Sequence, residues 1–275
     1  MKIEYKINND EEFLKHCRSW EYCDDFMFLK KERLNDDMIH ASKFGFVKSL
    51  EFLIDAGADS WNYGIITACG FGHIKVVLFL MKKGESYFSS QPFVWNCCLA
   101  SACSCANIFI IKLMIEKGAT NFDEGMRNTC LKGHVNVVNL MIKHGATDWN
   151  NGMIWACEKG NTEIIKLMIK KGATDFVRGM NSACNSDHMN IVRLMISHIN
   201  QNTKNESYVW TGLRFKAKEF VDSCSCKELL EYLSFHFPKH IRTKIKDRIK
   251  LILFFKIILN SEENLFPVLS SFIHV

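Results

Sequence analysis

The sequence has no apolar stretch of membrane-spanning length: near the C-terminus the longest run, Leu251 to Phe255, lies between Lys250 and Lys256, far short of the ~20 residues that a spanning helix needs. No transmembrane segment is expected. Asp10, Glu11 and Glu12 stand where a secretory leader would need an apolar core, so no leader is expected either. Proline is scarce, at three in 275 residues, and 48% of the chain is hydrophobic against 24% charged. That composition excludes collagen-like and disordered classes. Also missing are the Gly-x-x-x-x-Gly-Lys-Ser/Thr phosphate loop, the Gly-x-Gly-x-x-Gly fingerprint and the His-Glu-x-x-His zinc signature, which removes the commonest sequence warrants for a nucleotide or metal enzyme.

Cysteine, by contrast, is abundant. Twelve thiols in a chain without a secretory leader read as reduced side chains of an intracellular protein, in cytoplasm or nucleus. The net charge of +5 is unevenly placed. Residues 238 to 256 hold seven bases (Lys239, Arg242, Lys244, Lys246, Arg248, Lys250 and Lys256) and one acid, Asp247; taking that excess of six from +5 leaves the rest of the chain at −1. Bulk positive charge therefore draws no ligand to the body of the chain.

What the sequence has in quantity is repetition. Gly118-Ala119, Gly145-Ala146 and Gly172-Ala173 are 27 residues apart, as are Gly57-Ala58 and Gly84. Twelve residues ahead of these glycines stand Gly45, Gly72, Ala106, Gly133 and Gly160. Between the two marks, apolar residues fall at helical spacing, as in Val137, Val138, Leu140, Met141 and Ile142, or Ile164, Ile165, Leu167, Met168 and Ile169. This predicts an outer helix of about ten residues, closed by a glycine in a left-handed conformation. Upstream, Ile65 to Cys69, Met126 to Cys130, Met153 to Cys157 and Met180 to Cys184 are rich in small residues, which suits a second, closely packed helix. Helix pairs this short cannot bury their apolar faces alone and must stack. The expected fold is all-α: six stacked helix-turn-helix repeats over residues 36–200, a capping segment over 1–35, a degenerate seventh repeat over 201–237 and a basic helical cap over 238–275.

Two small residues, Gly133-His134, a Val-Val-x-Leu helix and Gly145-Ala146, with their equivalents ending in Gly160 and Gly172-Ala173, resemble the ankyrin repeat. The pattern departs from that family in lacking the Thr-Pro-Leu-His opening and in a period of 27 where ankyrin repeats run at 33. The shortening lies wholly between Gly-Ala and the next inner helix, so the resemblance implies an ankyrin-like solenoid with its hairpin fingers mostly cropped. Such short repeats look like those of ankyrin-type proteins of large DNA viruses. One junction is long: Gly84 to Gly118 is 34 residues, and the stretch Glu85 to Cys98 is expected to restore a full-length finger loop.

Cys69, Cys103, Cys130, Cys157 and Cys184 recur in one inner-helix slot. Stacked helices lie about 8–10 Å apart, whereas zinc ligands converge within ~2.3 Å of the ion. The periodic thiols are therefore expected in the core, and no metal, cofactor or catalytic residue is expected. His73 and His134 fall in the inter-helix turn and are assigned to turn hydrogen bonds; Trp61, Phe122, Trp149 and Phe176 share a slot after Gly-Ala and are assigned to loop packing. Positions that vary while the frame repeats are the candidates for partner recognition: Phe44, Phe71, Arg127, Asn128, Lys132, Trp155, Glu158, Lys159 and Asn185. Trp155 stands where other repeats carry His40, Thr67, Asn128 and Ser182, so its bulk is not required by the frame.

These features predict a non-catalytic scaffold or adaptor that binds proteins, host proteins included, through the concave inner-helix surface and the loop 85–98. The alternative is binding of nucleic acid or an anionic membrane surface by the basic segment, where Ile241, Ile245, Ile249 and Ile252 line one face. Phe237-Pro238 with Ile241 and Ile245 resembles, faintly, the F-box-like segment that follows the repeats in poxviral ankyrin proteins.

Overall fold

The outer helices form where the sequence places them. Within each, residues about one turn apart on one face are buried, as with Val76, Val77 and Leu80 or Val137, Val138 and Met141. The computed structural model describes residues 9–19, 27–91, 93–186 and 188–202. The seventh-repeat and basic-cap segments, with Lys239, Arg242, Lys244, Lys246, Arg248 and Lys250, lie beyond residue 202, outside the described residues. Among the described residues every regular element is a helix.

The chain divides into two compact units, Met1–Asp148 and Trp149–Val275. The first contains α1 (Asp10–Arg18), α2 (Met27–Phe44), α3 (Val47–Asp55), α4 (Trp61–Phe71), α5 (Ile74–Lys83), α6 (Glu85–Ser89), α7 (Val94–Cys105), α8 (Ile108–Glu116), α9 (Phe122–Lys132) and α10 (Val135–Lys143). Here α2, α4, α7 and α9 are the inner helices, each packed on the next. Helices α3, α5, α8 and α10 are their outer partners. The second unit contains α11 (Trp149–Lys159), α12 (Thr162–Lys171), α13 (Phe176–Asn185) and α14 (Met189–Asn202), with inner helix α11 packed on inner helix α13.

The inner helices are longer than the small-residue runs suggested: α4, α9 and α11 have 11 residues each. The first reaches back to Met27, into the segment read as a cap. Helix α1 packs on α3 and α2, and the Asp10 carboxylate accepts the backbone N–H groups of Lys48 and Ser49 at 2.9 and 3.0 Å. It thereby satisfies donors that the first turn of α3 leaves unpaired.

Close stacking of inner helices follows from one pairing of slots. A glycine early in one helix faces the small residue in the cysteine slot of the helix before it: a Cβ on Gly125 would lie 3.1 Å from Cys103 Sγ, and one on Gly179 3.3 Å from Cys157 Sγ. Cys69, Cys103, Cys130, Cys157 and Cys184 are all buried, as the slot argument requires. Burial pushes the thiols of Cys103, Cys130 and Cys157 up to about 12.

Each Gly-Ala closure works as a unit. At Gly145 φ is +110°, and the N–H of Ala146 then donates to Met141 O at 3.0 Å, recovering a carbonyl that the helix end leaves without a partner. Gly84 is the exception: its φ is −99°, and the chain runs directly from α5 into α6. The expectation of a finger loop over residues 85–98 is corrected here. Glu85–Ser89 is a short helix and Val94 already begins α7, because Phe88 is 4% exposed and packs on Trp61 and Trp95. An extended hairpin would leave that ring in water.

Candidate functional site

Three of the exposed large apolar side chains of the first unit sit on inner helices. Phe44 ends α2 at 40% exposure, Phe71 ends α4 at 55%, and Tyr63 near the start of α4 is 68% exposed. The structure brings the first two together: Lys43 Nζ lies 5.4 Å from the Phe44 ring centroid and 5.5 Å from that of Phe71, within cation-π range of both. His40 packs on Phe44 at 4.6 Å and on Phe13 at 5.1 Å. Its pKa is lowered, chiefly by burial and then by the charge of Lys43.

Tyr63 was missed in the sequence. Its slot, two residues after the position of Trp61, holds Asp36, Tyr63, Cys97 and Glu124 in the first unit, and that variability was the available signal. Asp36, Tyr63 and Cys97 are all exposed. Helices α4 and α7 contain no charged residue. The inner surface they form is therefore aromatic, aliphatic and neutral polar: Tyr63, Ile66, Thr67, Phe71, Cys97, Ser101 and Ser104 all retain exposure.

Charge returns on α9, where Arg127 forms an ion pair with Glu124, which raises the guanidinium pKa further. Asn128 donates to Ala100 O at 3.1 Å. Its amide thus ties α9 to α7, a frame role that the sequence did not suggest. Lys132 is exposed at the end of α9. In the second unit Trp155 is half-buried on α11, Glu158 and Lys159 pair at 3.0 Å, and Asn185 is exposed at the end of α13.

The turn histidines act on the preceding turn. His73 Nε2 lies 2.7 Å from Lys43 O, and its ring occupies the space a Cβ on Gly45 would need, 2.8 Å from Nδ1. Asn107, in the same slot one repeat on, donates to Gly72 O at 3.3 Å. The aromatic slot assigned to loop packing opens the inner helices, where Phe122 packs on His144, the residue that ends α10, and Phe176 on His198.

Chemically this surface offers contact area and little reactivity. The buried thiols are poor nucleophiles at neutral pH because only thiolate attacks. No three His, Cys, Asp or Glu side chains among the described residues group as metal ligands. No described helix is long and apolar enough to cross a membrane.

No family model matches the chain and no curated protein is similar to it. Among solved structures it is similar to the crystal structure of the human ASB11 ankyrin repeat domain, with 16% identity, 58% of this chain and 82% of that chain covered, and a TM-score of 0.44.

Proposed function

We propose that this chain is an ankyrin-type repeat protein of the short-period kind that resembles repeats of large DNA viruses, and that it serves as a non-catalytic protein-binding scaffold inside cells. The observation that carries this reading is the inner surface of α4 and α7: it bears no charged residue, yet exposes Tyr63 and Phe71, with Phe44 beside them. Exposed aromatics on a rigid frame are the side chains that dominate protein interfaces. In the second unit Trp155 remains the candidate anchor, with Glu158, Lys159 and Asn185 at its margins. Lys132 is the candidate for an electrostatic contact at the edge of the first.

The test is capture of partners from cell lysate by the full chain, by Phe71→Ala and Tyr63→Ala variants, and by a truncation to residues 1–237. A partner held through this surface persists at high salt and loses roughly thirty-fold in affinity in either variant, the effect of removing about 2 kcal/mol at a hot spot. Binding that is nuclease-sensitive, falls steeply with salt and disappears with the truncation would replace this reading by one centred on the basic segment.

A further inference from the structure

We propose that the cavity opened by helix α6 is a docking pocket for a short peptide segment of a protein partner, one that presents a bulky apolar side chain next to a carboxylate. The proposal rests on the scaffold reading and adds to it a second site and the chemistry of its ligand.

The cavity measures about 470 Å³, within the range of sites that take a ligand or an anchor side chain. It exists because the third period is seven residues longer than 27. Helix α5 contributes Leu78 and Met81, α6 contributes Phe88, and α7 contributes Trp95. The two rings form a firm wall: Phe88 and Trp95 are 4% and 8% exposed and their centroids lie 5.3 Å apart. Leu78, at 45% exposure, leaves the mouth open to a side chain entering from another protein.

The polar part of the lining sets the sign of that partner. Lys82 and Lys117 are exposed, and among the described residues neither has a carboxylate within 4.0 Å. Glu85 is the single acid of the lining, so two cations against one anion leave it at +1. A mixed lining, with Leu78 as its exposed apolar side chain and two unpaired ammonium groups beside it, complements an apolar residue flanked by Asp or Glu.

A separate irregularity accompanies α6, outside the cavity lining. In four other periods an Asn or Asp in one inner-helix slot, Asn35, Asn96, Asp123 or Asn150, accepts backbone N–H groups from the loop that follows the outer helix, as Asn96 does from Thr120 and Asn121; α13 carries Val177 there. Asn62 occupies that slot in α4, and its buried Oδ1 has no partner, because α6 replaces the loop. The frame gives up a backbone-ordering contact where α6 is inserted, and α6 is the element that supplies Glu85, Phe88 and Ser89 to the cavity.

The experiment measures fluorescence polarisation of labelled synthetic peptides against the full-length chain. One set holds a single Leu, Phe or Trp between Asp or Glu residues; matched sets carry Asn and Gln, or Lys, in place of the acids. The acidic set is expected to bind selectively. Lys82→Glu and Lys117→Glu should each weaken it roughly tenfold or more, and Leu78→Glu should abolish it, while circular dichroism stays native. Phe71→Ala should leave peptide affinity unchanged, which separates this pocket from the inner surface. Equal binding of the neutral or basic set, full affinity in the folded double lysine variant, or no binding of any acidic peptide would overturn the proposal. Peptide binding without any partner on the inner helices would overturn the scaffold surface and uphold the pocket.

Discussion

Asn96 Oδ1 accepts the backbone N–H of Thr120 at 2.8 Å, 24 residues further along the chain, and that of Asn121 at 2.9 Å. The same contact recurs one period at a time. Asp59 N donates to Asn35 Oδ1 at 2.8 Å, Thr147 N to Asp123 Oδ1 at 2.6 Å, and, in the second unit, Thr174 N to Asn150 Oδ1 at 2.8 Å. Cropping the fingers shortens each connection to a few residues, and this side chain pairs the backbone donors left there. It is the device that holds a 27-residue repeat together where a longer repeat has room for a hairpin.

Asn96→Ala should therefore lower stability by about 1 kcal/mol, the cost of losing a side-chain cap on backbone donors. Asn62→Ala removes an acceptor that has no partner and should cost markedly less. Urea unfolding midpoints of the two variants measure the difference. Equal losses would mean that the slot contributes by packing and not by hydrogen bonding.

Gly125 is predicted to tolerate no larger side chain. A Cβ there would meet Met141 Sδ at 2.8 Å and Cys103 Sγ at 3.1 Å; the thioether can move, but the thiol is held by the neighbouring inner helix. Gly125→Val should destabilise by about 2 kcal/mol, in the range for overpacking a filled core. Adding Cys103→Ala should recover part of that loss, and a double-mutant cycle on thermal unfolding gives the coupling.

Stability should fall on mild acidification. Burial lowers the pKa of both His16 and His40 from the ordinary 6.5, so the unfolded chain takes up these protons first. The contribution is fully present above about 6.5 and is lost as pH falls from there toward the depressed native values. Carboxylates such as Asp59, whose pKa is lowered mainly by its hydrogen bond from Lys31, act only at lower pH. Melting temperature should drop between about pH 7 and pH 5, and His40→Gln should reduce that drop.

Thiol labelling should separate the described cysteines by burial. Cys97 is exposed, whereas Cys69, Cys98, Cys103, Cys130, Cys157 and Cys184 are buried. Mass-spectrometric mapping after brief maleimide treatment should find Cys97 modified in native protein and the others only on unfolding. A fast thiol at Cys97 is thus a consequence of its place on the inner surface and is no sign of a catalytic nucleophile.

The helical pairing, the turn glycines and the buried cysteine slot were legible in the sequence because each repeats, and a repeated pattern reports the one environment that every copy shares. Val137, Val138 and Met141 announce an outer helix at any period. Two other features needed the tertiary structure. The stretch 85–98 occurs once, so no second copy constrained its reading, and the short helix Glu85–Ser89 within it buries Phe88 against Trp61 and Trp95. Asn128 read as a free, variable position, yet its amide reaches Ala100 on the neighbouring helix, a partner 28 residues away that no local pattern encodes. What the sequence determined by itself was the repeat and its packing, since periodic burial of apolar area is a property of spacing alone. Which varying side chains face water, and which are taken up by the frame, was decided only when the helices stacked, because exposure depends on neighbours distant in the chain.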